Sequence, residues 1–133
     1  MIKLLLVEDE PSVRKGLRMR LAAEPDVTIV GEAADGKAAL ALTRELRPDV
    51  VLMDIEMPRL DGIAAAKALR AISPCTAVIL LTIHDDDATR ARAEAAGAAA
   101  CLTKRGLNDE LLPAIRQAAW GGATQNSSNP VAN

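Results

Sequence analysis

Uninterrupted apolar runs alternate with helical patterns along this chain. The runs at residues 4–7, 50–53 and 77–81 contain no polar residue. Such runs are typical of strands that are covered on both faces, and these strands occur in parallel sheets. Two further segments, at residues 27–30 and 98–103, are predicted as strands from their β-branched or apolar content and from the turn residues around them.

Apolar residues recur at helical spacing between these strands. The predicted helices cover residues 11–23, 37–46, 62–72, 88–96 and 108–120. Proline, aspartate or glycine stands at most of their ends, as is usual for helix starts and stops. Pro113 lies inside the last helix, where we expect it near the first turn or at a mild kink. The strict strand–helix alternation predicts an α/β fold with a doubly wound, five-stranded parallel sheet between two helical layers.

Composition limits the classes of protein that fit. The 133 residues predict one domain at 1–120, followed by a Gly-, Ser- and Asn-rich tail or linker at 121–133. The core must be aliphatic, because Trp120 is the one aromatic residue, and we expect it to pack against that core. A net charge of −2 with mixed signs argues against nucleic-acid binding by this chain. No apolar segment has the length of a membrane span, so we expect a cytoplasmic protein that does not bind membranes.

Chemically reactive residues follow the predicted strands. Glu8 and Asp9 come after the first strand, Asp54 after the third, Thr82 ends the fourth and Lys104 ends the fifth. Parallel strands bring their carboxyl ends to one edge of a sheet, where open α/β folds bind their ligands. Asp54 considered alone is a metal ligand, a nucleophile or a helix cap. The five residues together favour a shared site.

The predicted site suits a divalent cation and phosphoryl transfer. Three adjacent carboxylates repel one another unless a cation neutralises them, and Mg²⁺ prefers such oxygen ligands, with Mn²⁺ as an alternative. The Asp54 carboxylate would then attack phosphorus, while Lys104 and Thr82 would bind phosphoryl oxygens.

These motifs resemble the response regulator receiver domain of bacterial two-component signalling, of the NarL/LuxR type. The resemblance covers residues 2 to 120 and rests on their order and spacing: Leu6-Val7-Glu8-Asp9, Asp54-Ile55-Glu56-Met57-Pro58 with Asp61-Gly62, Val30-Gly31-Glu32-Ala33 with Asp35-Gly36, Thr82, Ala96-Gly97-Ala98 and Lys104. It implies the flavodoxin-like strand order 2-1-3-4-5.

The resemblance also implies a role for each residue that matches. Asp54 would accept a phosphoryl group from a sensor histidine kinase, and Lys104 and Thr82 would bind that group. Asp54, Asp9, Glu8 through water and the backbone carbonyl of Glu56 would hold Mg²⁺. The chain would act as a switch whose changed surface supports homodimer formation or contacts with other proteins, and it would not be a turnover enzyme.

The chain departs from the family pattern at three positions, one of which is Arg105, where many members have a proline. Cys101 stands where the family usually has an aromatic residue that moves together with the threonine, so smaller rearrangements are expected here. Glu56 adds an acid beside the site, where it would pair with Lys104 or compete for the metal. Either behaviour of Glu56 would alter the lifetime of the phosphorylated state.

Four functions are compatible with parts of the sequence. A transcriptional regulator whose DNA-binding domain lies outside this chain fits the NarL/LuxR type, whereas a stand-alone receiver would act through protein contacts. A Mg²⁺-dependent aspartyl-phosphate phosphatase would need an Asp-x-Asp motif after the first strand, and here Glu10-Pro11 follows Asp9. A phosphorylation-independent module would be expected to lack Asp54 or Lys104, and both are present.

Overall fold

The computed structural model describes residues 1–121, in which five strands alternate with five helices. The strands are β1 (Ile2–Val7), β2 (Val27–Ala33), β3 (Val50–Asp54), β4 (Ala77–Thr82) and β5 (Ala100–Thr103). The helices are α1 (Pro11–Ala22), α2 (Gly36–Leu46), α3 (Gly62–Ile72), α4 (Asp87–Ala95) and α5 (Leu107–Arg116). A 3-10 turn at Lys104–Gly106 precedes α5, and a π-helical turn at Gln117–Gly121 follows it. Of the predicted tail, only Gly121 lies within the described residues.

The sheet is parallel throughout and has the strand order β2-β1-β3-β4-β5. This order confirms the predicted fold. The chain leaves β1 and β3, which are neighbours, toward opposite sides of the sheet, so a crevice opens at their carboxyl ends.

Two aliphatic layers cover the sheet. Leu5, Met53 and Leu80 pack with α2 and α3 on one face, whereas Leu6 and Leu52 pack with α1 and α5 on the other. All five residues of β3 are buried, as the uninterrupted apolar run predicted. Each fully buried leucine contributes about 2 kcal/mol through the hydrophobic effect.

The helix starts follow the capping rules. The carboxylates of Asp35, Asp61 and Asp86 accept hydrogen bonds from the backbone N–H three residues later, at 2.7–2.9 Å. Asp86 therefore begins α4 as a cap, which is the role predicted for the acids at 85–87. Gly97 ends α4 with a φ of +91°, a conformation that favours glycine.

The structure corrects several sequence predictions. β2 continues to Ala33, three residues beyond the predicted end, because it pairs with β1 up to Val7. β5 begins at Ala100 instead of 98, since Ala98 still hydrogen-bonds to the end of α4. The prediction that Trp120 packs against the core is wrong: 49% of its surface is exposed, on the π-helical turn. No helix within residues 1–121 has both the length and the apolar content to cross a bilayer.

Candidate functional site

The carboxyl ends of β1, β3 and β4 form the candidate site. Asp54 is the last residue of β3, and the register pairs it with Leu81, the residue before Thr82. Glu8 follows directly after β1, whose Val7 pairs with Met53. Parallel pairing thus brings residues that are far apart in sequence to the same edge.

Three carboxylates meet at this edge. Oxygen atoms of Glu8, Asp9 and Asp54 all lie within 4.8 Å of one another. Glu8 and Asp54 are buried, with 1% and 3% of their surface exposed, whereas Asp9 is partly exposed. The cluster therefore has two buried members and one that faces the solvent.

Lys104 provides the positive charge of the site. Its Nζ atom lies 2.9 Å from Oδ2 of Asp54 and 3.1 Å from Oε1 of Glu8. The 3-10 turn after β5 places Lys104 here, and its side chain is 24% exposed. One ammonium group faces two buried carboxylates and a third nearby, so the site has an excess of negative charge.

The pKa values of these groups reflect this excess. Burial raises the pKa of Asp54 and of Glu8 above the usual carboxyl range, and hydrogen bonds to Lys104 and to backbone N–H groups oppose the rise only in part. Burial alone would lower the pKa of Lys104, but its hydrogen bonds to Asp54 and Glu8 outweigh that effect and raise it. The carboxylates are more buried than the ammonium group. Burial is therefore the larger effect on the pKa of the two acids, whereas the hydrogen bonds of Lys104 together have the larger effect on its pKa.

An all-oxygen, negatively charged cluster of this kind suits a hard divalent cation. Mg²⁺ takes carboxylate and carbonyl oxygens and retains water, and the partly exposed Asp9 leaves a solvent side for that water. Positive charge beside the cluster would also stabilise the ionised carboxylates and so lower the two pKa values that burial raises. The donor set therefore fits the predicted ion.

Thr82 and Glu56 lie beside the carboxylates. The hydroxyl of Thr82 donates to Oε2 of Glu56 at 3.1 Å and accepts from the backbone N–H of His84 at 3.0 Å. The backbone N–H of Glu56 donates to Oδ1 of Asp54 at 3.2 Å. Glu56 was expected to pair with Lys104 or to compete for the metal. Its carboxylate instead accepts from Thr82, while Lys104 bonds to Asp54 and Glu8. The role of the Glu56 carbonyl as a metal ligand stays a prediction.

Two contributors to the site were not predicted from the sequence. Nη1 of Arg14 donates to the backbone carbonyl of Glu8 at 2.6 Å and so ties α1 to the end of β1. Gly62 packs directly behind Asp54, since a Cβ atom at position 62 would lie 2.3 Å from the Asp54 carbonyl oxygen. The Asp61-Gly62 pair was predicted as the start of α3 and as part of the family motif, but the closeness of Gly62 to Asp54 depends on tertiary structure.

Comparison with known proteins gives consistent matches. The family model of the response regulator receiver domain matches residues 4–116. The transcriptional regulatory protein YxjL of Bacillus subtilis is 43% identical over 122 residues, which are 92% of this chain and 56% of YxjL. The transcriptional regulatory protein LiaR of the same species is 42% identical over 91% of this chain and 57% of its own length.

A solved structure agrees with these matches. The receiver domain of the response regulator NarL from Mycobacterium tuberculosis superposes with a TM-score of 0.85 at 37% identity, covering 90% of this chain and 97% of that domain. The chain spans somewhat more than half the length of the two Bacillus regulators.

Proposed function

The chain belongs to the family of response regulator receiver domains, and from that premise we propose that Asp54 accepts a phosphoryl group from a sensor histidine kinase in a Mg²⁺-dependent reaction. The observation that carries this proposal is the position of the Asp54 carboxylate. It is buried at the end of the central strand, bonded to Lys104 and within 4.8 Å of two further carboxylates.

The Asp54 carboxylate would act as the nucleophile. A carboxylate oxygen attacks the phosphorus of a phosphohistidine, the new O–P bond forms, the P–N bond breaks and the imidazole nitrogen leaves. Burial raises the pKa of Asp54, and a more basic carboxylate is a better nucleophile. Lys104, which now pairs with the Asp54 carboxylate, would then pair with a phosphoryl oxygen and partly neutralise its negative charge.

Receiver domains bind Mg²⁺ through acidic residues. Here Glu8, Asp9 and Asp54 would hold the ion, with Glu8 acting through water and the Glu56 carbonyl as a further ligand. When bound, Mg²⁺ or Mn²⁺ supplies neutralising charge to the phosphoryl oxygens. The side chains around Asp54 would orient the phosphoryl group and exclude water from the buried face of the Asp54 carboxylate.

Receiver domains are mostly parts of transcription regulators, and they interact with histidine kinases. For this chain we expect phosphorylation to change the surface near β4 and β5, through Thr82, and so to control homodimer formation or contact with an output domain. DNA would then be bound by a further domain of a longer regulator. A cytoplasmic location, where kinase domains and DNA are both accessible, fits this role.

Phosphorylation by a small-molecule donor tests the proposal. The full chain is incubated with acetyl phosphate and Mg²⁺, and intact mass is recorded with and without EDTA. We expect a gain of one phosphate that EDTA and the substitution Asp54→Asn abolish and that Asp109→Asn, an exposed control on α5, preserves. A gain that persists in Asp54→Asn would show that another residue is the acceptor, and sustained hydrolysis of a phosphomonoester would favour the phosphatase alternative.

A further inference from the structure

The hydroxyl of Thr82 already has partners for both of its hydrogen-bonding functions. It donates its proton to Oε2 of Glu56 and accepts from the N–H of His84. A hydroxyl carries a single proton, so a threonine that donates to Glu56 cannot also donate to a phosphoryl oxygen. Thr82 is 1% exposed, so solvent does not compete for this proton.

Glu56 is well placed to hold Thr82. Its backbone N–H is anchored on Oδ1 of Asp54, two residues earlier, while its carboxylate reaches across from the end of β3 to the end of β4. The same residue therefore contacts both the proposed phosphoacceptor and the proposed phosphoryl-binding hydroxyl. The exposed position of Glu56 leaves its side chain room to move away.

The charge of Glu56 opposes a phosphorylated neighbour. Its carboxylate lies 3.1 Å from the hydroxyl of Thr82 at the end of β4, the strand between β3 and β5, so its negative charge stands beside the strand that ends in Asp54. A phosphoryl group on Asp54 adds negative charge at this point, so it repels the Glu56 carboxylate and competes with it for the Thr82 proton.

We propose that Glu56 is a positioning residue that holds the Thr82 hydroxyl away from the phosphoryl site until Asp54 is phosphorylated. This inference rests on the proposed function of Asp54. Breaking the Glu56–Thr82 hydrogen bond is part of the switch, and the strength of that bond sets how readily the phosphorylated state forms. With Cys101 in place of the usual aromatic residue, this bond is the specific contact that Thr82 must exchange.

Methyl NMR of the threonine-labelled chain, residues 1–133, tests the bond in the unphosphorylated state. Thr82→Ala identifies the Thr82 signal by its loss. We expect Glu56→Gln to keep the wild-type Thr82 shift, because the amide oxygen still accepts the hydroxyl proton, and Glu56→Ala to move it. Glu45→Ala, an exposed glutamate on α2, is the control that leaves it unchanged. A Thr82 signal with the same chemical shift in wild type and in Glu56→Ala would overturn the proposal. So would a signal that Glu56→Gln and Glu56→Ala displace equally.

Titration with beryllofluoride, a phosphoryl mimic, tests the consequence in the presence of Mg²⁺. Glu56→Ala should bind it about fivefold more tightly than wild type, since a lost hydrogen bond to a charged acceptor no longer has to be broken. Equal affinity in both proteins would overturn the inference and leave the role of Asp54 intact. Failure of wild type to bind beryllofluoride, together with no phosphate gain from acetyl phosphate, would refute the proposed function itself.

Discussion

The ammonium group of Lys104 lies 2.9 Å from Oδ2 of Asp54, although the two residues are 50 positions apart in the chain. It also contacts Glu8, so one partly exposed ammonium group is the shared counter-charge of two buried acids. This relationship predicts that Lys104 contributes to stability as well as to signalling.

Lys104→Ala should lower the free energy of unfolding at neutral pH by about 2 kcal/mol without divalent ions, because it leaves two buried carboxylates without a counter-charge. Urea unfolding followed by circular dichroism measures the change. Arg105→Ala, at the neighbouring exposed position, should have little effect. Equal stability of the two variants would contradict the pairing.

The same substitution separates phosphorylation from response. Asp54, its metal ligands and Thr82 remain in Lys104→Ala, so the mass gain from acetyl phosphate should persist. The phosphate-dependent change in oligomeric state should be lost, because no ammonium group binds the phosphoryl oxygen. Size-exclusion chromatography with light scattering compares the two proteins. If the variant changed its oligomeric state on phosphorylation as wild type does, Lys104 would not be needed for the response.

The raised pKa values of Asp54 and Glu8 predict how stability depends on pH. Between their unfolded and folded pKa values the folded protein binds more protons than the unfolded chain, so the contribution of these groups to stability falls as pH rises through that window. Without metal, Asp54→Asn should be more stable than wild type at pH 7.5 and should lose this advantage toward pH 4. Urea unfolding across this range measures the difference.

Asp26 provides a control of opposite sign. Its hydrogen bond to Arg116 lowers its pKa, so its contribution to stability is present above its unfolded pKa and is lost as pH falls through the folded value. Asp26→Asn should therefore be less stable than wild type at neutral pH and approach it in acid. If both substitutions changed the pH profile in the same direction, burial would not be the cause at Asp54.

Divalent cations should stabilise the folded protein through the three carboxylates. At a Mg²⁺ concentration 100 times the dissociation constant, binding adds about 2.7 kcal/mol to the free energy of unfolding. Thermal unfolding with Mg²⁺ and with EDTA measures this gain. Asp9→Asn should reduce the gain, whereas Glu45→Gln on α2 should keep it. If Mg²⁺ stabilised wild type and Asp9→Asn equally, the ion would bind at a site that does not include Asp9.

Much of the fold could be predicted because β1, β3 and β4 each contain a pure apolar run. The five buried residues of β3 allow no alternative face, and Pro48 and Asp61 mark where its neighbouring helices end and begin. The ends of β2 and β5 were less predictable. The last residue of β2 is fixed by pairing with β1, and the first residue of β5 by the turn after α4, which are tertiary contacts with no local signal.

The contact of Lys104 with Asp54 and Glu8 was predictable, because parallel topology alone brings strand ends together. The contact of Glu56 with Thr82 was not predictable. Its side chain could reach Lys104, a metal or Thr82 from the same backbone position, and the distance to each depends on rotamers and on strand register. The small Cys101 gave no indication of which contact would form.

Gly62 offers a last test, since it joins the fold to the site. A Cβ atom at position 62 would lie 2.3 Å from the carbonyl oxygen of Asp54 and 2.7 Å from Cα of Ile55. Both are backbone atoms, which cannot rotate away, so Gly62→Ala should cost about 3 kcal/mol and displace Asp54 from its partners. Phosphorylation by acetyl phosphate should slow in parallel with the loss of stability.

Gly16 is the matched control for this substitution. It lies on the exposed face of α1, and a Cβ atom there would meet nothing within 4 Å. Gly16→Ala should therefore stabilise the protein by up to about 1 kcal/mol through helix propensity, with unchanged phosphorylation. Urea unfolding and intact mass on the two variants give the comparison. If Gly62→Ala were as stable and as readily phosphorylated as Gly16→Ala, the close packing of α3 behind Asp54 would not be what fixes its carboxylate.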